Sequence, residues 1–163
     1  MKRQPNPTSH MKRAVDSSAT LPAGIEDRDL RVEIFAICEG ATEQSGRLSL
    51  VGVYETLAVP GFPMLLPQLT VALRIRFWPA ENRRHTVRLV MTTPDGMAAA
   101  CTGDEQVTLH PISGDRSAAC NVICRFQNVR IEESGDYTLD FHLNHRIEAR
   151  LPFAVDLILA GKI

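Results

Sequence analysis

Nine consecutive residues constrain this chain more than any other stretch. From Leu69 to Phe77 the side chains alternate without a break. Leu69, Val71, Leu73, Ile75 and Phe77 fall on one parity, and Thr70, Ala72, Arg74 and Arg76 on the other, with Trp78 continuing the second row. A strand turns successive side chains to opposite faces, so this pattern predicts a half-buried β-strand and excludes an amphipathic helix. The same period returns at Val87, Leu89 and Met91, at Val122, Cys124 and Phe126, and at Tyr137, Leu139, Phe141 and Leu143. It returns once more at Ile147, Ala149, Leu151, Phe153 and Val155. No segment sustains a helical period.

Strands with one apolar face must bury it against another such face. The expected architecture is therefore an all-β antiparallel sandwich, immunoglobulin-like or jelly-roll-like, of about seven or eight strands. Turn signals separate the runs. Pro94-Asp95-Gly96 combines a preset φ with a residue that accepts positive φ, and Asn144-His145 reads as a tight reversal. Arg31–Cys38 reads as a short strand that ends in the polar stretch Glu39–Ser45, with Gly46 closing the turn. Arg47–Leu57 begins with alternation at Leu48 and Leu50, then becomes apolar on both parities, as a strand packed on two faces or covered by a loop would. Pro60, Pro63 and Pro67 crowd residues 58–67, which argues for a crossover loop. Its Phe62, Met64, Leu65 and Leu66 are expected to plug one end of the sandwich or, if turned outward, to dock on a partner. Gln106–His110 is a further candidate strand between glycine-bearing loops.

Composition bounds the remainder. A chain of 163 residues holds one domain comfortably and two only with difficulty. Residues 1–29 contain Pro5, Pro7, Pro22 and the cations Lys2, Arg3, Lys12 and Arg13, with no apolar periodicity. They read as a disordered basic tail ahead of a folded domain at 30–159. Met11-Lys12-Arg13 repeats Met1-Lys2-Arg3, so Met11 is an alternative start. Met1-Lys2-Arg3 leads into Gln-Pro-Asn-Pro rather than an apolar h-region, and no apolar run is long enough to span a bilayer. Cys38, Cys101, Cys120 and Cys124 are few and irregularly spaced, which suits free thiols of a reducing compartment. The cytoplasm is the expected location. The net charge of −1 supplies no overall field to attract nucleic acid or an anionic membrane.

Signatures of chemistry are sparse. No Gly-x-Gly-x-x-Gly, Walker-type or Gly-x-Ser-x-Gly sequence occurs. Asp140, His142 and His145 cluster near a hairpin tip, where a His–Asp pair could hold a metal or orient a general base. With no further ligand nearby, a solvated hairpin edge is the expected reading. Cys120 and Cys124 share a strand face about 13 Å apart, too far for one zinc or a disulfide. Glu132-Glu133 and Asp104-Glu105 sit in turn-like sequence, where charges are solvated. No catalytic residue, metal or cofactor is therefore assigned.

The remaining candidate is a basic face. Read as one hairpin, the chain from Leu69 to Thr93 projects Arg74, Arg76, Trp78 and Arg88 from its outer side, with Arg83 and Arg84 at the turn. Such a face would suit an anion, a phosphate backbone or an acidic peptide, and Trp78 could stack. The competing reading is an edge hairpin made soluble by arginines paired with Glu81, Asp136, Asp140 or Glu148.

Two resemblances bear on this. Glu132-Glu-Ser-Gly-Asp-Tyr-Thr-Leu139 resembles the tyrosine corner of immunoglobulin-like sandwiches, in which a tyrosine hydroxyl returns to the backbone. Leu139 stands where such domains carry their second cysteine, so no inter-sheet disulfide is implied. More broadly, Cys38-Glu-Gly-Ala41, Gly46-Arg-Leu-Ser-Leu-Val-Gly-Val-Tyr54, the proline at 63 and the late Gly-x-Tyr are similar to a family of uncharacterised bacterial proteins. That likeness spans roughly residues 31–155 and implies a bacterial single-domain β-sandwich, with no site residues to carry over. The expected function is a non-catalytic binding or assembly module acting through protein–protein contacts. The alternatives are a nucleic-acid or anion binder using the arginine face, and a metal-dependent enzyme using Asp140, His142 and His145.

Overall fold

The computed structural model describes residues 30–78, 84–108 and 117–158. The tail at 1–29 lies outside them, as do Glu81, Arg83 and His110. Ten strands run through the described residues: β1 (Leu30–Gln44), β2 (Arg47–Tyr54), β3 (Thr56–Val59), β4 (Met64–Phe77), β5 (Arg84–Thr92), β6 (Ala98–Cys101), β7 (Glu105–Thr108), β8 (Ala118–Ile131), β9 (Gly135–Leu143) and β10 (Arg146–Leu157). One sheet has the order β2-β1-β4-β8. The other runs β3-β10-β9-β5-β6, with β7 also pairing β5. The protein is an all-β sandwich, and the strand count exceeds expectation because several strands are short.

Period-two patterning builds the core as expected. Leu69, Val71, Leu73, Ile75 and Phe77 of β4 face Val87, Leu89 and Met91 of β5 and Tyr137, Leu139, Phe141 and Leu143 of β9, all buried in one cluster. Each fully buried aliphatic or aromatic side chain of this size stabilises the fold by about 1.5–3 kcal/mol. Phe35 meets Phe141 edge-to-face at 6.5 Å, tying the two sheets together. In β10 the alternation slips. A register shift between Ile147 and Ala149 moves Ile147 to the outer face, where it is 48% exposed, while Phe153 and Val155 stay inside.

The turns follow their local chemistry. Gly96 takes φ 84°, and its N–H donates to Thr93 O at 2.9 Å. Asn144 and His145 both take positive φ (49° and 68°), the signature of a two-residue type I′ hairpin. Tyr137 donates to Glu133 O at 2.9 Å, which completes the tyrosine corner.

Two parts of the chain differ from the reading of the sequence. The proline-rich stretch is not one long crossover loop. β3 occupies Thr56–Val59, and β4 begins at Met64 and passes through Pro67. Asn128, which stands across from Pro67 between the pairs Leu66–Val129 and Gln68–Gln127, takes φ 52°. The ladder therefore breaks for one residue and resumes with its facing reversed, so that Val129 and Ile131 turn inward after Phe126. The strand at Arg31–Cys38 also does not stop at the polar stretch, because β1 continues to Gln44 in a long hairpin with β2.

Candidate functional site

The described members of the expected basic face, Arg74, Arg76, Trp78, Arg84 and Arg88, do not form one surface. β4 lies in one sheet and β5 in the other, so Arg74 and Arg76 project from the opposite side of the sandwich from Arg88. Neighbouring alternating runs suggest a hairpin, but β4 and β5 pair with distant strands in separate sheets instead of with each other. Arg84 opens β5 and is exposed, Trp78 follows the end of β4 and is 38% exposed, and Arg83 lies outside the described residues.

Arg74 and Arg76 are committed to internal contacts. Arg74 Nε reaches Glu33 Oε2 at 3.0 Å, and Arg76 Nε reaches Glu33 Oε1 at 2.5 Å. Glu33 occupies a register shift in β1, which turns its side chain to the outer face beside both guanidinium groups. Arg74 also donates to Asn121 Oδ1 (2.9 Å) and Gly46 O (3.2 Å), and Arg76 to Ser117 Oγ (3.1 Å). Two of the carboxylates expected as partners bind other arginines. Asp140 accepts from Arg150 Nε and Nη2 at 2.6 and 2.8 Å, and Glu148 pairs with Arg146 at 2.6 Å.

These contacts hold down an arm. Beyond Cys38 the β1–β2 hairpin folds over the outer face of its own sheet. Ala41 packs with Cys38 and Ala72 there, flanked by Leu48, Leu50 and Ile123. Arg125 donates to Ala41 O at 3.1 Å and Asn121 to Gly46 O at 3.1 Å, pinning the arm at two carbonyls. Gly52 provides the bend. Its φ is 61°, and a Cβ there would lie 2.6 Å from the Glu39 side chain. The bend reverses which parity of β2 faces the sheet, which is why residues 48–57 are apolar on both parities. It also leaves Val51 and Val53 outward, 65% and 56% exposed.

The expected partner loop mostly turns inward. Phe62, Met64 and Leu66 pack against the main core, and only Leu65 points out, at 57% exposure. Asp140, His142 and His145 are not brought together as ligands. Asp140 is bound to Arg150, and His145 sits in the hairpin turn. Among the described residues no three His, Cys, Asp or Glu side chains converge as a metal set. The four cysteines are unpaired. Burial raises the Cys38 and Cys120 thiols and pushes Cys124 up to about 11, so all three stay protonated at neutral pH and are poor nucleophiles.

The two arginine-bound carboxylates, buried Asp140 and exposed Glu33, predict an acid response. The Arg150 hydrogen bonds hold Asp140 below the usual carboxylate range, and those of Arg76, then Arg74, do the same for Glu33. A depressed pKa contributes stability that is present above the unfolded value of about 4 and lost as pH falls through the folded value. Thermal melts are expected to be level from about pH 5 to 7 and to decline below about pH 4. In Asp140→Asn with Glu33→Gln the melting temperature starts lower and the acid decline is shallower. An unchanged slope would remove these pairs as its cause.

Sequence comparison adds a family to this geometry. A family model matches residues 33–156, from Glu33 in β1 to Asp156 near the end of β10. The chain belongs to DUF6941, a family of unknown function. No curated protein matches the chain. Among solved structures, this DUF6941 member is similar to an alkylpurine DNA glycosylase of Pseudomonas fluorescens, at 6% identity and a TM-score of 0.47, over 78% of this chain and 30% of that one. It is also similar to a β-glucosidase of Listeria innocua, at 10% identity and a TM-score of 0.44, over 77% of this chain and 17% of the glucosidase. An immunoglobulin-like protein of Pseudomonas aeruginosa matches at 15% identity and a TM-score of 0.34, over 81% and 99% of the two chains. The chain thus spans less than a third of the glycosylase and glucosidase chains. Among the described residues no helix is long and apolar enough to cross a membrane.

The contacts that matter most were hidden in the sequence. Glu33 interrupts the apolar run of β1, and Asn121 and Arg125 occupy polar positions of an ordinary alternating strand. The one available signal was Gly52 within a stretch apolar on both parities, which marks a reversal of facing.

Proposed function

We propose that this protein is a non-catalytic binding module that works through protein–protein contacts, and that its contact surface is the open edge of β2. The observation that carries this reading is the pair Val51 and Val53, both more than half exposed on an eight-residue strand that ends its sheet. Exposed apolar edge strands are the sites at which extended segments add to a sheet. β2 contains no lysine or proline, the residues that ordinarily blunt such an edge. Anion binding has less support, since Arg74 and Arg76 are saturated by Glu33, Asn121 and Ser117. A reducing compartment such as the cytoplasm fits the four unpaired thiols, and another protein is the partner class proposed.

Affinity capture from the native host tests the edge. Wild-type protein and Met97→Lys, which changes an exposed residue in the β5–β6 turn, should capture the same partner. Val51→Lys with Val53→Lys should lose it. Equal capture by all three would sink the edge as the contact surface.

A further inference from the structure

A cavity of about 350 Å³ opens at the end of the sandwich where β1, β5 and β10 begin and β4 and β9 end. Leu30, Phe77 and Leu143 give it an apolar wall, and Phe77 and Leu143 are buried members of the main core. The His85 ring lies 4.7 Å from that of Phe77. Asn144 holds it there. Asn144 Oδ1 accepts the Thr86 N–H at 3.0 Å, so its Nδ2 is the group that donates to His85 Nδ1 at 3.2 Å. The aromatic wall is therefore fixed in place by the fold.

A sheltered carboxylate also lines this cavity. Glu148 is the extra residue of the β10 register shift, between the pairs Ile147–His142 and Ala149–Phe141. Its side chain is only 10% exposed, and its one polar contact among the described residues is from Arg146 Nε to Oε1 at 2.6 Å. Arg146 stands at the rim, with its side chain 78% exposed. Oε2 is left without a donor among the described residues. No fully buried side-chain oxygen or nitrogen there lacks a partner, so Oε2 is still reachable from outside. A carboxylate this sheltered from water gains most from a second, charged donor.

We propose that this cavity binds a small primary amine with an apolar body, its ammonium donating to Glu148 Oε2 and its hydrocarbon lying against Leu30, Leu143 and the Phe77 ring. None of these residues belongs to β2, so the site is separate from the contact edge proposed above and does not depend on it. The volume is at the lower end for small-ligand cavities, and apolar walls with a few orienting polar groups are their usual make-up. Burial decides the sign of the ligand's charge. An anion drawn to Arg146 would meet a guanidinium open to solvent, where an ion pair gains little, and would stand beside the Glu148 carboxylate. An ammonium meets the sheltered member of the pair and leaves the Arg146 bond at Oε1 intact.

Amide chemical-shift titration of the full chain with phenethylamine tests this. Saturable shifts at His85, Leu143 and Glu148 are expected, with a dissociation constant of about 1 mM. The anion 3-phenylpropionate, which carries the same ring on a chain ending in a carboxylate, should bind at least about tenfold more weakly. Glu148→Gln should weaken phenethylamine binding by about tenfold or more, because the amine then meets a neutral acceptor. Both probes are compared on the unaltered protein, so the charge preference is read even if Glu148→Gln fails to fold. The absence of saturable shifts at these residues up to about 20 mM amine would overturn the proposal. So would equal affinity for the two probes, or amine binding indifferent to a folded Glu148→Gln.

Discussion

Tyr137→Ala is expected to cost about 3–5 kcal/mol of unfolding free energy, a fall in melting temperature of about 10–20 °C for a domain of this size. The side chain is fully buried, and its ring lies 5.7 Å from that of Phe153 across the β9–β10 pair. Its hydroxyl donates to Glu133 O at 2.9 Å, closing the corner at which the chain enters β9. Truncation removes both the packing and the tie. Tyr137→Phe separates them: it keeps the ring and loses one hydrogen bond, at a cost of about 1 kcal/mol. Urea unfolding of the two variants measures the division. Equal losses would place the stabilisation in the hydroxyl, and a loss under about 1 kcal/mol for alanine would contradict the packing described here.

Gly135→Ala should be nearly as damaging, at about 2–4 kcal/mol. Two independent obstacles meet at this residue. Its φ of 143° belongs to a region that side chains rarely adopt, and a Cβ built there would lie 2.7 Å from Pro94 Cγ and 3.2 Å from Pro94 Cβ. Pro94 belongs to the turn after β5, so the first residue of β9 and that turn pack without space between them. Gly135 also pairs with Val155 and so fixes the start of the β9–β10 register. Adding Pro94→Ala removes the 2.7 Å contact with Cγ, keeps the looser one with Cβ, and leaves the backbone conformation of residue 135 unchanged. The double variant should therefore regain part of the lost stability and no more. Full recovery in urea unfolding would show that the strained φ costs nothing, and no recovery would show that the proline contact is irrelevant.

Both residues belong to a motif visible in the sequence, where Gly-x-Tyr marks the corner. The arginines were different. Arg74 and Arg76 were correctly placed on the outer parity of their strand, yet their partner Glu33 lies 41 and 43 residues away along the chain. Arg125 reaches Ala41 across 84 residues. Charge pairing of this kind leaves no local trace, so a committed ion-pair network looked like an open basic face. Ala98–Cys101 was missed as a strand for a related reason. Its side chains are too small to show alternation, and its pairing with β5 is supplied by Val90 and Met91.

What the sequence determined by itself was the direction of side chains within each strand. The inward rows of β4, β5 and β9 and the position of the corner tyrosine follow from a period of two, which depends only on neighbouring residues. Which strands lie beside one another was decided by the tertiary structure alone. The separation of β4 from β5 into opposite sheets, the folding of the β1–β2 arm over Ala72, and the exposure of Val51 and Val53 all follow from packing between distant segments. A repeat of two residues states which face is apolar. It cannot state which other apolar face will cover it, because that choice is made by the combined burial of many strands at once.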